Sequence, residues 1–206
     1  MAQYFQIHPE NPQLRLIRRT VEIIRGGGVI IYPTDSSYAL GCQMAEKQAL
    51  DRIRRIRRLD DRHNFTLVGK DLAQIANIAN FDNDAYRMVK NLTPGPFTFI
   101  FKATREVPRR LMHPKKKSVG VRLPDHPVVQ SLLEELGEPM FSSTLILPGE
   151  NEAFSDPEEI RERMEHEVDL IIDSGIVLYS PTTIIDMTGK NPEVIRKGKE
   201  DLSAIF

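Results

Sequence analysis

The sequence predicts an α/β fold on a mixed sheet, and three observations carry that expectation. Short β-branched or aromatic runs alternate with stripes of helical spacing along most of the chain. Strand candidates follow one another without an intervening helix near Phe97 and Val119, and again close to the end, which requires antiparallel neighbours in a sheet otherwise wound through helices. The chain has 206 residues, 40% of them hydrophobic, and no Pro/Gly/Ser-rich linker or long-period repeat interrupts it. One domain over residues 1–206 with a single sizeable core is therefore expected.

Asn11-Pro12 leads into Leu14, Ile17, Val21 and Ile24, the apolar face of a helix that stops at Gly26-Gly27-Gly28. The apolar run 29–32 then reads as a buried strand. A second helix is expected over 46–58, with Leu50, Ile53 and Ile56 inward. Strands follow at 65–68, 97–102, 119–123, 140–147, 168–172, 183–187 and 193–196, and helices at 83–90, 127–136 and 157–167. The last helix has a strong start: Asp156 precedes Pro157, and Glu158 and Glu159 occupy the positive end of the helix dipole.

A formal net charge of -1 conceals a segregation. Residues 1–123 hold 22 Lys+Arg against 11 Asp+Glu, whereas residues 124–206 hold 6 against 18. The basic front points to a polyanionic partner, with phosphate on a nucleotide or on RNA the natural candidate, because guanidinium presents a planar fork of donors. The alternative is that the acidic back folds across the front and neutralises it. Other classes are disfavoured. The opening lacks a secretory signal, no apolar run is long enough to span a membrane, and a lone Cys42 builds neither an internal disulfide nor a thiolate zinc site. A reducing cytoplasm with no membrane partner is the default.

Four places could carry chemistry. At Tyr32-Pro33-Thr34-Asp35-Ser36-Ser37-Tyr38, a buried strand ends in hydroxyls and a carboxylate; this is either a ligand site at a strand's carboxyl end or an ordinary hydroxyl turn. In Arg52-Ile-Arg54-Arg55-Ile-Arg57-Arg58, Arg55 and Arg57 converge only if the helix ends nearby, and a solvated basic face is the plainer reading. Arg122, inside the apolar strand Val119-Gly120-Val121-Arg122-Leu123, either pairs internally or faces a ligand, since a buried guanidinium needs a compensating anion. Ser142-Ser143-Thr144 and Thr182-Thr183 add hydroxyls, and Arg196 with Gly198 ends the last strand. No nucleophile–base pair, P-loop or metal-ligand spacing accompanies them, so such a rim suits anion binding and charge stabilisation better than covalent catalysis.

These residues also resemble the YrdC-like family. Pro33-Thr34-Asp35-Ser36-Ser37-Tyr38-Ala39-Leu40-Gly41 is similar to the P-T-E-T-x-Y-G-L-G signature. Pro94-Gly95-Pro96-Phe97-Thr98, Val119 to Pro124, Pro181-Thr182-Thr183-Ile184-Ile185-Asp186 and Ile195-Arg196-Lys197-Gly198 follow in the family's order. The opening Ile7 to Pro12 and the stretch His63 to Leu67 resemble the YciO subgroup. The resemblance implies a single-domain mixed sheet, twisted round a basic concave cavity. It also implies synthesis of threonylcarbamoyl-AMP from L-threonine, bicarbonate and ATP, with release of pyrophosphate, in the service of tRNA modification. Arg55 and Arg57 would match the family's K-x-R and, with Ser143, act in catalysis. Asn64, Ser118 and Arg196 would line the nucleotide site, and Thr34, Arg122 and Thr183 the amino-acid site. Mg2+ would arrive with ATP, held mainly by its phosphates. Binding of tRNA or double-stranded RNA without turnover is the alternative that the same resemblance implies. Three departures stand out: Arg55 replaces lysine, Leu145 replaces the asparagine of S-x-N, and Gly69 stands where the synthases carry a histidine.

Overall fold

In the computed structural model, which describes residues 1–60 and 65–200, the first elements are strand β1 (Gln3–Gln6) and helix α1 (Leu14–Arg25). Helix α1 buries Ile17, Thr20, Val21 and Ile24 along one stripe. Its end depends on Gly28, where an added Cβ would lie 2.6 Å from Ile23 Cγ2 and 2.7 Å from the Ile23 carbonyl oxygen. Strands β2 (Ile30–Pro33) and β3 (Tyr38–Gln43) form a hairpin, and α2 (Lys47–Arg57) follows, ended by Arg58 in the left-handed region at φ 50°. Then come β4 (Thr66–Val68), α3 (Leu72–Ala76), β5 (Ala79–Asn80), α4 (Asn83–Leu92), β6 (Phe97–Ala103) and β7 (Ser118–Arg122). The chain continues through α5 (Pro127–Leu136), β8 (Met140–Thr144), α6 (Pro157–Met164), β9 (Leu170–Asp173), β10 (Thr183–Asp186) and β11 (Glu193–Arg196). Asp156 caps α6 by accepting from the Glu158 N–H, the arrangement its sequence predicts.

The strands make one mixed sheet in the order β1-β9-β2-β3-β8-β4-β7-β6-β10-β11, with β5 pairing the outer end of β6. The α/β class with a mixed sheet holds. Three strands were not anticipated: β1 and β5 are short, and β3 (Tyr38–Gln43) lay hidden in what reads as the continuation of a turn. Its residues Ala39, Gly41 and Cys42 are small, and all are buried.

The two faces of the sheet are covered differently. On one, Phe97, Phe99, Phe101, Val119, Val121, Leu67 and Phe141 pack with Leu50 and Ile53 of α2, Val89 of α4 and Ile160 and Met164 of α6. On the other, Ile17, Val21 and Ile24 of α1 and Val128, Leu132 and Leu133 of α5 cover Ile30, Tyr32, Leu170 and Ile172. This second helix layer stops short. Over β4, β7, β6 and β10 the same face presents Thr66, Gly120, Arg122, Thr98, Ile100 and Ile184, which border a hollow.

The acidic back does fold onto the basic front. Arg18 pairs with Glu135 at 3.5 Å, Arg52 with Asp169 at 2.7 Å, Lys116 with Asp186 at 3.6 Å, and Lys70 with Glu134. Among the described residues, no helix is long and apolar enough to cross a membrane.

Phe99 is fully buried among Phe97, Phe101 and Val121, on the face of β6 away from the hollow. Phe99→Ala is expected to destabilise the fold by about 3–5 kcal/mol, read as a lowered urea midpoint.

Candidate functional site

The hollow encloses about 410 Å³, inside the range of about 300–1,000 Å³ usual for small-molecule sites. Strand alternation builds it: Thr98 and Ile100 of β6, Gly120 and Arg122 of β7, and Ser142 and Thr144 of β8 all project to the uncovered face. Gly120 keeps the floor low, because a Cβ there would lie 2.8 Å from Thr66 Oγ1. Arg57 at the end of α2, Ser36 from the β2–β3 turn, Tyr179 and Thr182 from the segment before β10, and Arg196 from β11 close the walls.

Arg57 is the last helical residue of α2, and its guanidinium turns inward. Its Nε donates to the Ile146 carbonyl at 2.9 Å and its Nη1 to Ser143 Oγ at 2.7 Å. Burial pushes its pKa below the ordinary value, an effect that nearby Tyr179 opposes. Arg196 stands on the other side, donating from Nε to the Thr182 carbonyl at 3.1 Å and from Nη2 to Thr182 Oγ1 at 3.0 Å. Thr182 Oγ1 in turn meets Thr98 Oγ1 at 2.9 Å. Among the described residues, neither Arg57 nor Arg196 has a carboxylate within ion-pair distance. Two cations held only by neutral oxygens make the hollow electropositive.

Arg122 is arranged otherwise. Its Nη2 pairs with Asp35 Oδ1, both side chains being nearly buried at 8% and 11% exposure. Asp35 Oδ2 also accepts from the Asp125 N–H at 3.0 Å, which ties the β2–β3 turn to the entry of α5. Arg122 Nε is buried with no hydrogen-bond partner among the described residues. A ligand oxygen would satisfy that donor, which otherwise costs desolvation energy.

The candidates chosen from sequence are brought together only in part. Arg57, Arg122, Ser143 and Arg196 border one cavity. Arg55 does not join them: α2 continues through Arg57, so Arg55 points to solvent on another side of the helix. Thr34 is fully buried and closes its own turn, donating from Oγ1 to the Ser37 carbonyl at 2.8 Å, and Ser36 borders the cavity instead. Thr183 faces the opposite side of β10, where its Oγ1 accepts from the Gly198 N–H at 2.9 Å, and Thr182 takes the cavity position. Ser118 lies on the cavity face of β7, but beyond the cavity lining; it is 0% exposed, and its hydroxyl has no partner among the described residues. Asn64 lies outside the described residues. Leu145 packs in the apolar core and leaves the cavity wall to Thr144 and Ile146.

Sequence reasoning also passed over several groups. Asp35 was visible in the turn, but its pairing with Arg122 depends on a contact 87 positions away. Thr98 stood in a noted motif without a role, and Tyr179 carried no signal at all. Tyr32 donates or accepts a 2.6 Å hydrogen bond with Ser142 Oγ, and burial pushes its phenol up to about 12. Cys42 is buried and pushed up to about 12 by that burial, which leaves it a packed thiol.

Fold and site together define a mixed-sheet α/β protein with an electropositive, hydroxyl-lined cavity. The chain belongs to the Sua5/YciO/YrdC family, whose model, described as telomere recombination, matches residues 22–198. It is similar to YciO of Escherichia coli K12, an uncharacterized protein, at 55% identity over 98% of both chains. The crystal structure of E. coli YciO superposes with a TM-score of 0.96 at 54% identity, covering 100% of each chain. More distantly, the chain is 25% identical to threonylcarbamoyl-AMP synthase of Vibrio vulnificus over 88% of this chain and 98% of that one. P. abyssi Sua5 complexed with L-threonine shares the fold, with a TM-score of 0.90 at 24% identity over 98% of this chain and 59% of that one.

Removing the Asp35 carboxylate leaves Arg122 buried without its counter-charge. Asp35→Ala is expected to cost about 3–5 kcal/mol in denaturant unfolding, and Asp35→Glu to recover part of it.

Proposed function

We propose that the cavity binds ATP and an amino-acid carbamate and joins them as an acyl adenylate, the chemistry of threonylcarbamoyl-AMP synthesis. The observation that carries this reading is the placement of Arg57 and Arg196 on two walls of one hollow, without carboxylate partners among the described residues. The relationship to the V. vulnificus synthase and the L-threonine complex of P. abyssi Sua5 support the choice of reaction. In that reaction a carbamate oxygen attacks the α-phosphorus; a new P–O bond forms as the bond to the β-phosphate bridging oxygen breaks, and its electron pair leaves with pyrophosphate. Two anions must be brought together, and negative charge shifts to the leaving group. Arg57 retains donors beyond the two it spends on Ile146 and Ser143, and these would hold phosphate oxygens and disperse that charge. The pinned geometry of both guanidinium groups supplies alignment rather than a covalent intermediate.

Among the described residues no three His, Cys, Asp or Glu side chains converge, and Asp35 is engaged by Arg122. A magnesium ion would therefore be held by the triphosphate and water, where it neutralises phosphate charge. Arg122 Nε would receive an oxygen of the amino-acid half, beside the carboxylate of Asp35. That crowded corner, together with Leu145 in the core, supports a weakened or altered preference for threonine.

Titration of ATP calorimetrically should give a saturable heat, and Arg57→Ala should weaken binding at least tenfold. No heat from the parent protein would sink the reading. A second reading, RNA held on the surface, is favoured by the exposed Arg58, Arg109, Lys115, Lys116 and Lys117. Affinity for a short RNA duplex would then fall steeply between low and physiological salt, and a flat response counts against it.

A further inference from the structure

Strand β1 is one of the two outermost strands of the sheet, and its outer side is unpaired. The register with β9 fixes which way its backbone points: the Gln3 N–H donates to the Asp169 carbonyl at 2.9 Å and the Ile7 N–H to the Asp173 carbonyl at 2.8 Å. Alternation then turns the backbone groups of Tyr4 and Gln6 outward, to a side where no strand pairs among the described residues. The strand reads Gln-Tyr-Phe-Gln. It carries neither a charge nor a proline, two devices that commonly blunt such an edge.

A groove of about 540 Å³ runs beside this edge, between β1 and α1. Its apolar part is Phe5 and Leu16, both half-buried, with Leu14, which is 51% exposed. Its polar part is Arg15, Arg18, Arg19 and Glu22, which recur at the spacing of one helix face, turned from the buried stripe of α1. Arg19 meets Glu22 at 2.7 Å and Arg18 meets Glu135 at 3.5 Å. Arg15 is exposed and has no carboxylate within ion-pair distance among the described residues. Three guanidinium groups against one carboxylate leave the groove positive, and it shares no residue with the hollow over β6, β7 and β10.

We infer that the edge of β1 and this groove form a docking site for an acidic peptide, taken up in extended form as an added strand. The outward groups of Tyr4 and Gln6 supply main-chain hydrogen bonds, and alternate side chains of the peptide enter the groove, an apolar one over Phe5 and carboxylates toward Arg15 and its neighbours. Charge decides among occupants. A second copy pairing β1 with β1 about a two-fold axis would set the two arginine faces against each other. RNA would engage the arginines yet leave Phe5, Leu14 and the unpaired backbone uncovered.

The test uses the whole chain and a fluorescein-labelled, end-blocked peptide, Thr-Glu-Thr-Val-Thr-Glu-Thr, whose alternate positions put both glutamates and the valine on one face. Anisotropy should rise saturably, and the same peptide with lysine in place of each glutamate should bind at least about tenfold more weakly. Arg15→Glu should weaken the acidic peptide about tenfold. Gln6→Pro, which removes an outward N–H and spares the ladder to β9, should weaken it by a similar factor of about ten. Circular dichroism and the urea midpoint establish that each variant is folded. No rise in anisotropy at millimolar peptide overturns the site. Equal binding of the lysine peptide, or undiminished binding by Gln6→Pro, overturns strand addition guided by charge. A dimer in sedimentation that Gln6→Pro dissociates gives the edge to a second copy, and an RNA duplex that displaces the peptide and depends on Arg15 but not on Gln6 gives the arginines to RNA; either overturns the peptide.

Discussion

Strand alternation along β6, β7, β8 and β10 is the constraint on which the site depends. Successive side chains go to opposite faces, so one stretch of sequence writes two environments at once. In β6, Phe97, Phe99 and Phe101 anchor the core while Thr98 and Ile100 face the hollow. In β7, Val119 and Val121 do the first and Gly120 and Arg122 the second. The aromatic face is covered by helices and fixes the strands. The other face is roofed by α1 and α5 over β9, β2 and β3 and over Met140 of β8 and Val68 of β4, and where that roof ends the hydroxyls and guanidinium groups remain accessible. The cavity is thus the uncovered remainder of a sheet whose opposite side supplies the stability.

The buried Arg122–Asp35 pair links this sheet to its surroundings. Arg122 ends β7, and Asp35 sits in the turn joining β2 to β3. Asp35 also accepts from the backbone just before α5. A single carboxylate therefore joins the roofed half of the sheet to the open half. Such a pair is weak evidence for stability in itself, since desolvation offsets much of its attraction, but loss of either partner strands the other. Its position explains why Arg122 can exist in an apolar strand without a ligand bound, and why only part of its guanidinium is left for one.

The charge segregation has the same dual character. Arg18, Arg52, Lys70 and Lys116, from the basic front, meet Glu135, Asp169, Glu134 and Asp186 from the acidic back. These contacts tie the two ends of the chain through exposed or half-exposed pairs, each worth little alone. The cations left without such partners inside the cavity, Arg57 and Arg196, stand out by contrast. Net charge counted along the sequence exaggerated the basic surface, because it could not distinguish the arginines that meet a carboxylate in space from those that meet a carbonyl or hydroxyl.

The fold was legible where periodicity was unambiguous, and the site was legible only as far as residue type goes. The stripe of α1 and the apolar runs 29–32 and 119–123 follow directly from spacing, and they form the strands Ile30–Pro33 and Ser118–Arg122, each displaced by one residue. At β10 the same reasoning has nothing to grip. Ile184 and Ile185 are identical, one bordering the cavity and the other in the core, so their pattern does not say which of Thr182 and Thr183 faces inward. The register settles it: Ile184 is paired with Thr98, a cavity residue, and Thr183 with Phe97, a core residue. At α2 the obstacle is the helix end. The helix continues through Arg57, so Arg55 and Arg57 stand about 200° apart around its axis and only Arg57 borders the hollow. At Thr34 the reason is a third one: a hydroxyl at a strand end serves its own turn as readily as a ligand, and here its oxygen is spent on the Ser36 and Ser37 N–H groups and the Ser37 carbonyl. In each case the chemistry was visible and its direction was not, because direction is set by pairing partners far away in the chain.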